Sequence, residues 1–341
     1  MNIPVLYSPS QTAKNPSSFS PSAAKPAIVA AALLEHGYPV SFREPRPLHF
    51  SELCRAHDPA YVWGILACQK PNGFGNRDRA VAASLPYTSG SMLGAALAAR
   101  PTMPACSLTS GFHHACWDSG GGFCTLNGLM VTAAALLAIG KAERVAILDC
   151  DAHYGNGTDD ILRHRTDLAP SIIHRTMGGS RTQGSAYLRK LREFLAGIER
   201  FEPTIILYQA GADPHEDDPL GGYISTEEMR ERDRMVFEFA WDSGFPLAWN
   251  LAGGYQRGGA TGIDPVLALH LNTFREACSV YGLPVPAAME VIRSSAHSPI
   301  LNLGVSDLFD RPVSPLADEA GEVLKDTLVQ VGTRQALPYL L

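Results

Sequence analysis

The sequence predicts an α/β protein built on a mostly parallel sheet. From about Pro104 onward, short near-continuous apolar runs alternate with helical stretches, and each run ends in a polar or glycine-rich cluster. A strand covered on both faces has no polar side to alternate, so it reads as an unbroken apolar run. Strand and helix in regular alternation give the βα rhythm of a parallel sheet. No internal repeat, low-complexity segment or linker divides the chain, so residues 1–341 are expected to form one domain.

The first 110 residues break into short segments punctuated by Pro, Ser and Gly, such as Ser8 to Ser22 and Gln69 to Arg79, and are expected to be loops around a few helices. Strands are expected at 105–111 (ACSLTSG), 144–151 (RVAILDCD), 171–175 (SIIHR), 203–211 (PTIILYQAG) and 245–254 (FPLAWNLAGG). Between them, helices are expected over 128–141, 186–201 and 226–243. The last opens with Ser225-Thr-Glu-Glu228, a capping box whose Ser and Glu side chains satisfy the first free backbone amides.

Composition narrows the class. The 341 residues carry 28 Lys and Arg against 34 Asp and Glu, a net charge of −6, which excludes an overall basic footprint for nucleic acid. At 45% hydrophobic residues the chain can bury a sizeable core, yet no apolar run approaches the ~20 residues needed to cross a bilayer. The opening MNIPVLYSPS lacks a charged region followed by an apolar leader core, so a cytoplasmic protein is expected. Seven cysteines without a CxxC suit neither a disulfide framework nor a cysteine-bound metal, and are expected to be reduced thiols.

Open parallel sheets bind ligands beyond the carboxyl ends of their strands, and there the polar clusters are rich. Residues i and i+2 of an extended segment project to one side, so Asp151 and His153 can present a carboxylate oxygen and an imidazole nitrogen to one ion. Asp213, ending another run, is the candidate third ligand; three N/O ligands with a position left for water describe a catalytic metal site. On its own, Asp-x-His is more often a strand-end hydrogen-bonding pair than a metal-ligand pair. His113 and His114 are candidate proton-transfer groups, with Asp149 and Asn156 as their candidate orienting acceptors. Gly253 and Gly254 let the backbone approach closely, and the Tyr255 hydroxyl is placed to hydrogen-bond an oxyanion.

Taken together, SGFHHA, GGFCTLNGL, DCDAHYGNG, AGADPHEDDPLGG and NLAGGY, in this order between Ser110 and Tyr255, resemble the histone deacetylase family of the arginase/deacetylase superfamily. The resemblance implies a single-domain, three-layer fold with a mostly parallel eight-stranded sheet flanked by helices. It implies Zn²⁺ held by Asp151, His153 and Asp213, catalysis by His113, His114 and Tyr255, and a substrate tunnel at Gly122, Phe123 and Gly254. It further implies a monovalent cation, K⁺, bound by carbonyls around the Asp149 to His153 strand end. The activity implied is zinc-dependent removal of acetyl or another short acyl group from an acylated lysine in a peptide or protein, or from an acylated small amine. An acetylpolyamine amidohydrolase and a catalytically silent acyl-lysine binding module are the alternatives. No nucleic-acid or membrane partner is implied, and an oligomer is compatible. The arginase branch resembles a two-metal site fed by extra aspartates; here Asn156 stands near where another acid would be wanted.

The sequence departs from the family in three places. Ile172 stands where many members carry a serine that contributes to the cation site. Between His174 and the next helix only RTMGGSRTQGS intervenes where members carry a longer rim, and the usual His-Pro-Glu-Arg stretch gives way to the Ser8 to Ser22 loop. Less wall predicts a wider mouth that admits bulkier acyl groups, with Arg175 or Arg181 available to a negatively charged substrate group.

Overall fold

Val145 and Ile147 pack on one face of a sheet while Ala146 and Leu148 pack on the other, and all four are fully buried. This two-sided burial is what an unbroken apolar run requires. The structure, a computed structural model, describes residues 1–14, 17–179 and 182–286. Seven strands are present among them: β1 (Ile3–Leu6), β2 (Val40–Arg43), β3 (Ala105–Ser110), β4 (Val145–Asp149), β5 (Ile172–Thr176), β6 (Ile205–Gly211) and β7 (Leu247–Ala252). All pair in parallel in the order β2-β1-β3-β7-β6-β4-β5. The sheet is thus seven-stranded among the described residues rather than eight-stranded.

Helices cover both faces: α1 (Lys25–Glu35), α2 (Phe50–Leu53), α3 (Pro59–Leu66), α4 (Arg79–Ala98), α5 (Gly128–Ala138), α6 (Asn156–His164), α7 (Gly184–Phe201), α8 (Thr226–Ser243) and α9 (Asp264–Val280). Residues of α1, α7, α8 and α9 pack on one face around Trp249 and Phe237, and residues of α3, α4 and α5 pack on the other around Leu129 and Ile147. The capping box of α8 forms as expected: the Glu228 amide donates to Ser225 Oγ at 3.3 Å and the Ser225 amide to Glu228 Oε2 at 2.9 Å. The helix ends at Gly244, whose φ of 69° is the left-handed conformation that glycine reaches without steric cost.

The N-terminal third departs most from expectation. It is not loops around helices alone: β1 and β2 add two strands to the sheet edge. Each has only four residues, and the outermost, VSFR, is partly exposed along its length, so neither carries the long apolar signature of the central strands. All seven cysteines are free, and no helix among the described residues is long and apolar enough to cross a membrane. Arg181 and the chain from residue 287 onward, which the single-domain expectation included, lie outside the described residues.

Candidate active site

The four strands whose ends carry the candidate residues, β3, β7, β6 and β4, are contiguous in the sheet. Four sequence-distant segments therefore emerge side by side: His113 and His114 after β3, Tyr255 after β7, Asp213 after β6, and Asp151 and His153 after β4. Small residues allow the crowding. A Cβ on Gly211 would lie 2.5 Å from the Cα of Asp151, and one on Gly253 would lie 2.3 Å from the Asp213 Cγ. Gly253 also holds φ of 52°, so space and backbone conformation both select glycine there.

Asp151, His153 and Asp213 offer ligand atoms that all lie within 4.8 Å of one another. His153 Nδ1 is 3.1 Å from Asp151 Oδ1 and 2.9 Å from Asp213 Oδ2. Donor atoms bonded at about 2.0–2.1 Å to a tetrahedral zinc stand about 3.3 Å apart, so the spacing fits. The electrostatics fit as well. Burial and the neighbouring Asp151 charge push Asp213 up to about 7, the mark of two carboxylates crowded together without enough positive charge. Asp213 Oδ2 is buried and makes no well-formed hydrogen bond to the His153 nitrogen beside it, while its Oδ1 accepts the Ala152 amide at 3.0 Å. Two buried carboxylates and an imidazole nitrogen converging within 4.8 Å are a donor set for a divalent cation.

The two histidines have different partners. His113, 2% exposed, sets Nδ1 2.7 Å from Asp149 Oδ2, and His114 sets Nδ1 2.6 Å from the Asn156 amide oxygen. Their rings are 4.0 Å apart between centroids. Burial opposes charge on His113, but Asp149 and Asp151 outweigh it and raise the imidazole to about 9. His114 is lowered, by burial and then by the charge of His113. One ring of the pair thus favours the imidazolium and the other the free base, a division suited to handling protons. Gly122 makes room for this pair: with φ of 53°, its Cβ would fall 2.3 Å from His114 Cδ2. Gly254 serves a different end, since its Cβ position faces Val266 of α9 at 2.6 Å.

Phe123 holds φ of 64° and Phe112 φ of 96°, a region that bulky side chains rarely adopt. The Phe123 ring stands 5.6 Å from that of Tyr255. The Tyr255 amide donates to Asp218 Oδ2 at 2.7 Å, and burial, followed by the Asp213 and Asp151 charges, keeps the phenol protonated far beyond neutral pH. Cys124 beside it is buried, its thiol pushed up to about 12, which removes it as a nucleophile.

Several residues of the site carried no motif. Lys25 of α1, fully buried, donates to the Gly253 carbonyl and to Ser110 Oγ at 3.1 Å. Phe19, from the Ser8 to Ser22 loop, packs at 5.2 Å on Phe123 and 6.5 Å on Tyr255, on the rim where the sequence predicted missing wall. Gln209 donates to Asp149 Oδ1 at 3.3 Å. The register of β5 pairs Val145 with Ile172 and Asp149 with Thr176, so a hydroxyl stands beside the Asp149 strand end; its Oγ1 accepts the Gly155 amide at 3.3 Å. Arg175 points the other way, its Nε 3.6 Å from the Cβ position of Gly197 on α7.

Comparison with known proteins agrees with this geometry. The model of the histone deacetylase domain matches residues 22–180 and 179–264. An uncharacterized protein of Picosynechococcus sp. is 28% identical over 305 residues, 82% of this chain and the whole of the relative. The acetylpolyamine amidohydrolase of Mycoplana ramosa is 30% identical over 171 residues, 42% of this chain and 49% of that protein, so the match spans about half the relative's length. Among solved structures, the acetylpolyamine aminohydrolase of Burkholderia pseudomallei superposes with a TM-score of 0.63 at 19% identity, over 82% of this chain and 99% of the other. Five motif blocks set on the ends of four neighbouring strands, together with a family match over most of its length, show that the chain belongs to the histone deacetylase domain family, a family of deacetylating hydrolases.

Proposed function

We propose that this protein is a zinc-dependent amide hydrolase that removes acetyl or another short acyl group from an acylated primary amine, either a lysine side chain in a peptide or protein or a small amine such as a polyamine. The observation that carries the reading is the buried Asp151, His153 and Asp213 cluster with the His113 and His114 pair directly beside it. A zinc ion held by these three residues supplies Lewis-acid activation of the acyl carbonyl and of water.

The protein's own groups then divide the remaining work. His114, with Nδ1–H donated to the Asn156 amide oxygen, keeps Nε2 free to take a proton from the attacking water and return it to the departing amine. His113, bonded to the Asp149 carboxylate, is the neighbour that steadies the negative charge of the tetrahedral intermediate. Tyr255, protonated, donates its O–H to the same developing oxyanion. Phe123, with Gly122 beneath His114, lines the approach of the acyl chain, and the Gly253-Gly254 backbone carries Tyr255. The same reading includes a K⁺ ion that backbone carbonyls around the Asp149 to His153 strand end would hold. The deciding experiment is hydrolysis of a panel of acyl-lysine peptides and acylated polyamines by the purified protein, with and without a chelator. Metal-dependent release of the acyl group supports the reading, and a protein that binds these compounds without turnover would be the silent module.

A further inference from the structure

The Asp149 oxygen that meets His113 is faced by a second imidazole that the mechanism does not use. His174, on β5, has a side chain only 3% exposed, and its Nε2 stands 3.9 Å from Asp149 Oδ2, buried and without a hydrogen-bond partner. Its Nδ1 lies 2.7 Å from Asp159 Oδ1 on α6, and the other oxygen of Asp159 accepts the hydroxyl of Tyr154, a residue 47% exposed. Gly155 keeps the space between the two groups open: a Cβ there would stand 2.6 Å from Asp149 Oδ2 and 3.0 Å from His174 Nε2. A line of polar groups thus runs from solvent at Tyr154 through Asp159, His174 and Asp149 to His113.

Packing alone does not explain an imidazole here. A buried nitrogen with no hydrogen bond is costly, and an apolar side chain would fill the same volume without that cost. What the imidazole adds is a donor-bearing, chargeable ring between two carboxylates. Burial opposes its charge, and Asp149 and Asp159 together outweigh burial and raise it. The ring stands beside the Asp149 oxygen that meets His113, with Gly155 keeping the space between them open, so it limits which way that oxygen can point, and that oxygen sets the orientation and tautomer of His113.

We propose that His174, anchored by Asp159, is a positioning residue that fixes the Asp149 carboxylate and through it the His113 imidazole. The proposal rests on the reading of His113 as a member of the catalytic pair.

The test uses the zinc-loaded full chain with His174→Gln, Asp159→Asn and the double variant, Asp159 being partly exposed so that its variant folds even where His174→Gln does not. Three quantities are read: bound zinc, kcat and KM on the best acyl substrate, and the downfield Nδ1–H proton resonance of His113 in histidine-labelled protein. The expected result is zinc retained, KM within about twofold, kcat lower by about 10-fold, and the His113 resonance shifted or broadened in each variant, the size usual for partners of a site's primary residues. The double variant should fall no lower than the worse single one, because both act along one path. Unchanged kcat and an unchanged resonance in the variants, or losses that multiply in the double variant, would overturn it. If the wild type turns over none of the acyl compounds, the hydrolase reading fails by itself, while the resonance still decides whether His174 sets His113.

Discussion

The ammonium of Lys25 donates to the carbonyl of Gly253, joining the first turn of α1 to the glycine pair that carries Tyr255. Lys25→Met keeps the length and apolar stem but leaves the Gly253 carbonyl and the Ser110 hydroxyl without this donor. Orphaning buried acceptors costs about 1–3 kcal/mol, and a loosened Tyr255 loop should lower kcat by about 10-fold. Steady-state kinetics would show it, and wild-type kcat would remove the role.

The same lysine gives a pH signature. Burial pulls it down from 10.5 to about 8, against the opposing pull of Asp213, Asp151 and Asp218. Between those two values the unfolded chain binds the proton more tightly than the folded one, so this group's contribution to stability rises as pH rises through the window. Denaturant unfolding at pH 8 and pH 10 should show the wild type gaining on Lys25→Met, and a constant difference would contradict it.

Metal removal should destabilise the fold. Two buried carboxylates lose their cation, and zinc at 100 times its dissociation constant contributes about 2.7 kcal/mol by mass action. A chelator should therefore lower Tm in the wild type and leave Asp151→Ala and Asp213→Ala unmoved, with acyl release lost in both. Full zinc content and turnover in either variant would reassign the ligand.

Tyr255→Phe should bind zinc normally and lose about 10²-fold or more in kcat, since an oxyanion donor acts mainly in the transition state. Kinetics with metal analysis on the same sample would separate this from a folding defect.

Phe19→Ala tests the rim. An aromatic contact of this kind is worth about 0.5–1.5 kcal/mol beyond its buried area, so KM for a slender acetyl-lysine should rise about 2–10-fold while kcat changes little. Bulkier acyl groups should lose less, since the ring also limits the width of the mouth. An identical kcat/KM profile across the acyl series would show that Phe19 does not meet the substrate.

How far the sequence led depends on the range of each contact. Asp151 with His153, His113 with His114, and the Gly253 to Tyr255 turn lie within a few residues of one another at strand ends, where period and chain position bring them together, so they were legible. Lys25, Phe19 and His174 reach the site only through the folded sheet. Lys25 is 228 residues from its acceptor, and nothing in KPAIVAAALLE marks a buried charge. The Thr176 hydroxyl beside Asp149 went unread for a related reason. The run SIIHR marks where β5 lies, but only the pairing of Asp149 with Thr176 fixes its register, and a shift of a few positions changes which hydroxyl stands beside Asp149. The edge strands β1 and β2 escaped because four residues are too few for a period.

Phe123 holds a backbone shape that glycine would take up freely, and it does so at the proposed wall of the acyl approach. Glycine at this position would relax the main chain and delete the ring in a single step. Selection for heat resistance and selection for turnover thus pull one residue in opposite directions. Libraries screened only for thermal tolerance should collect changes at Phe123 that survive heating and work poorly.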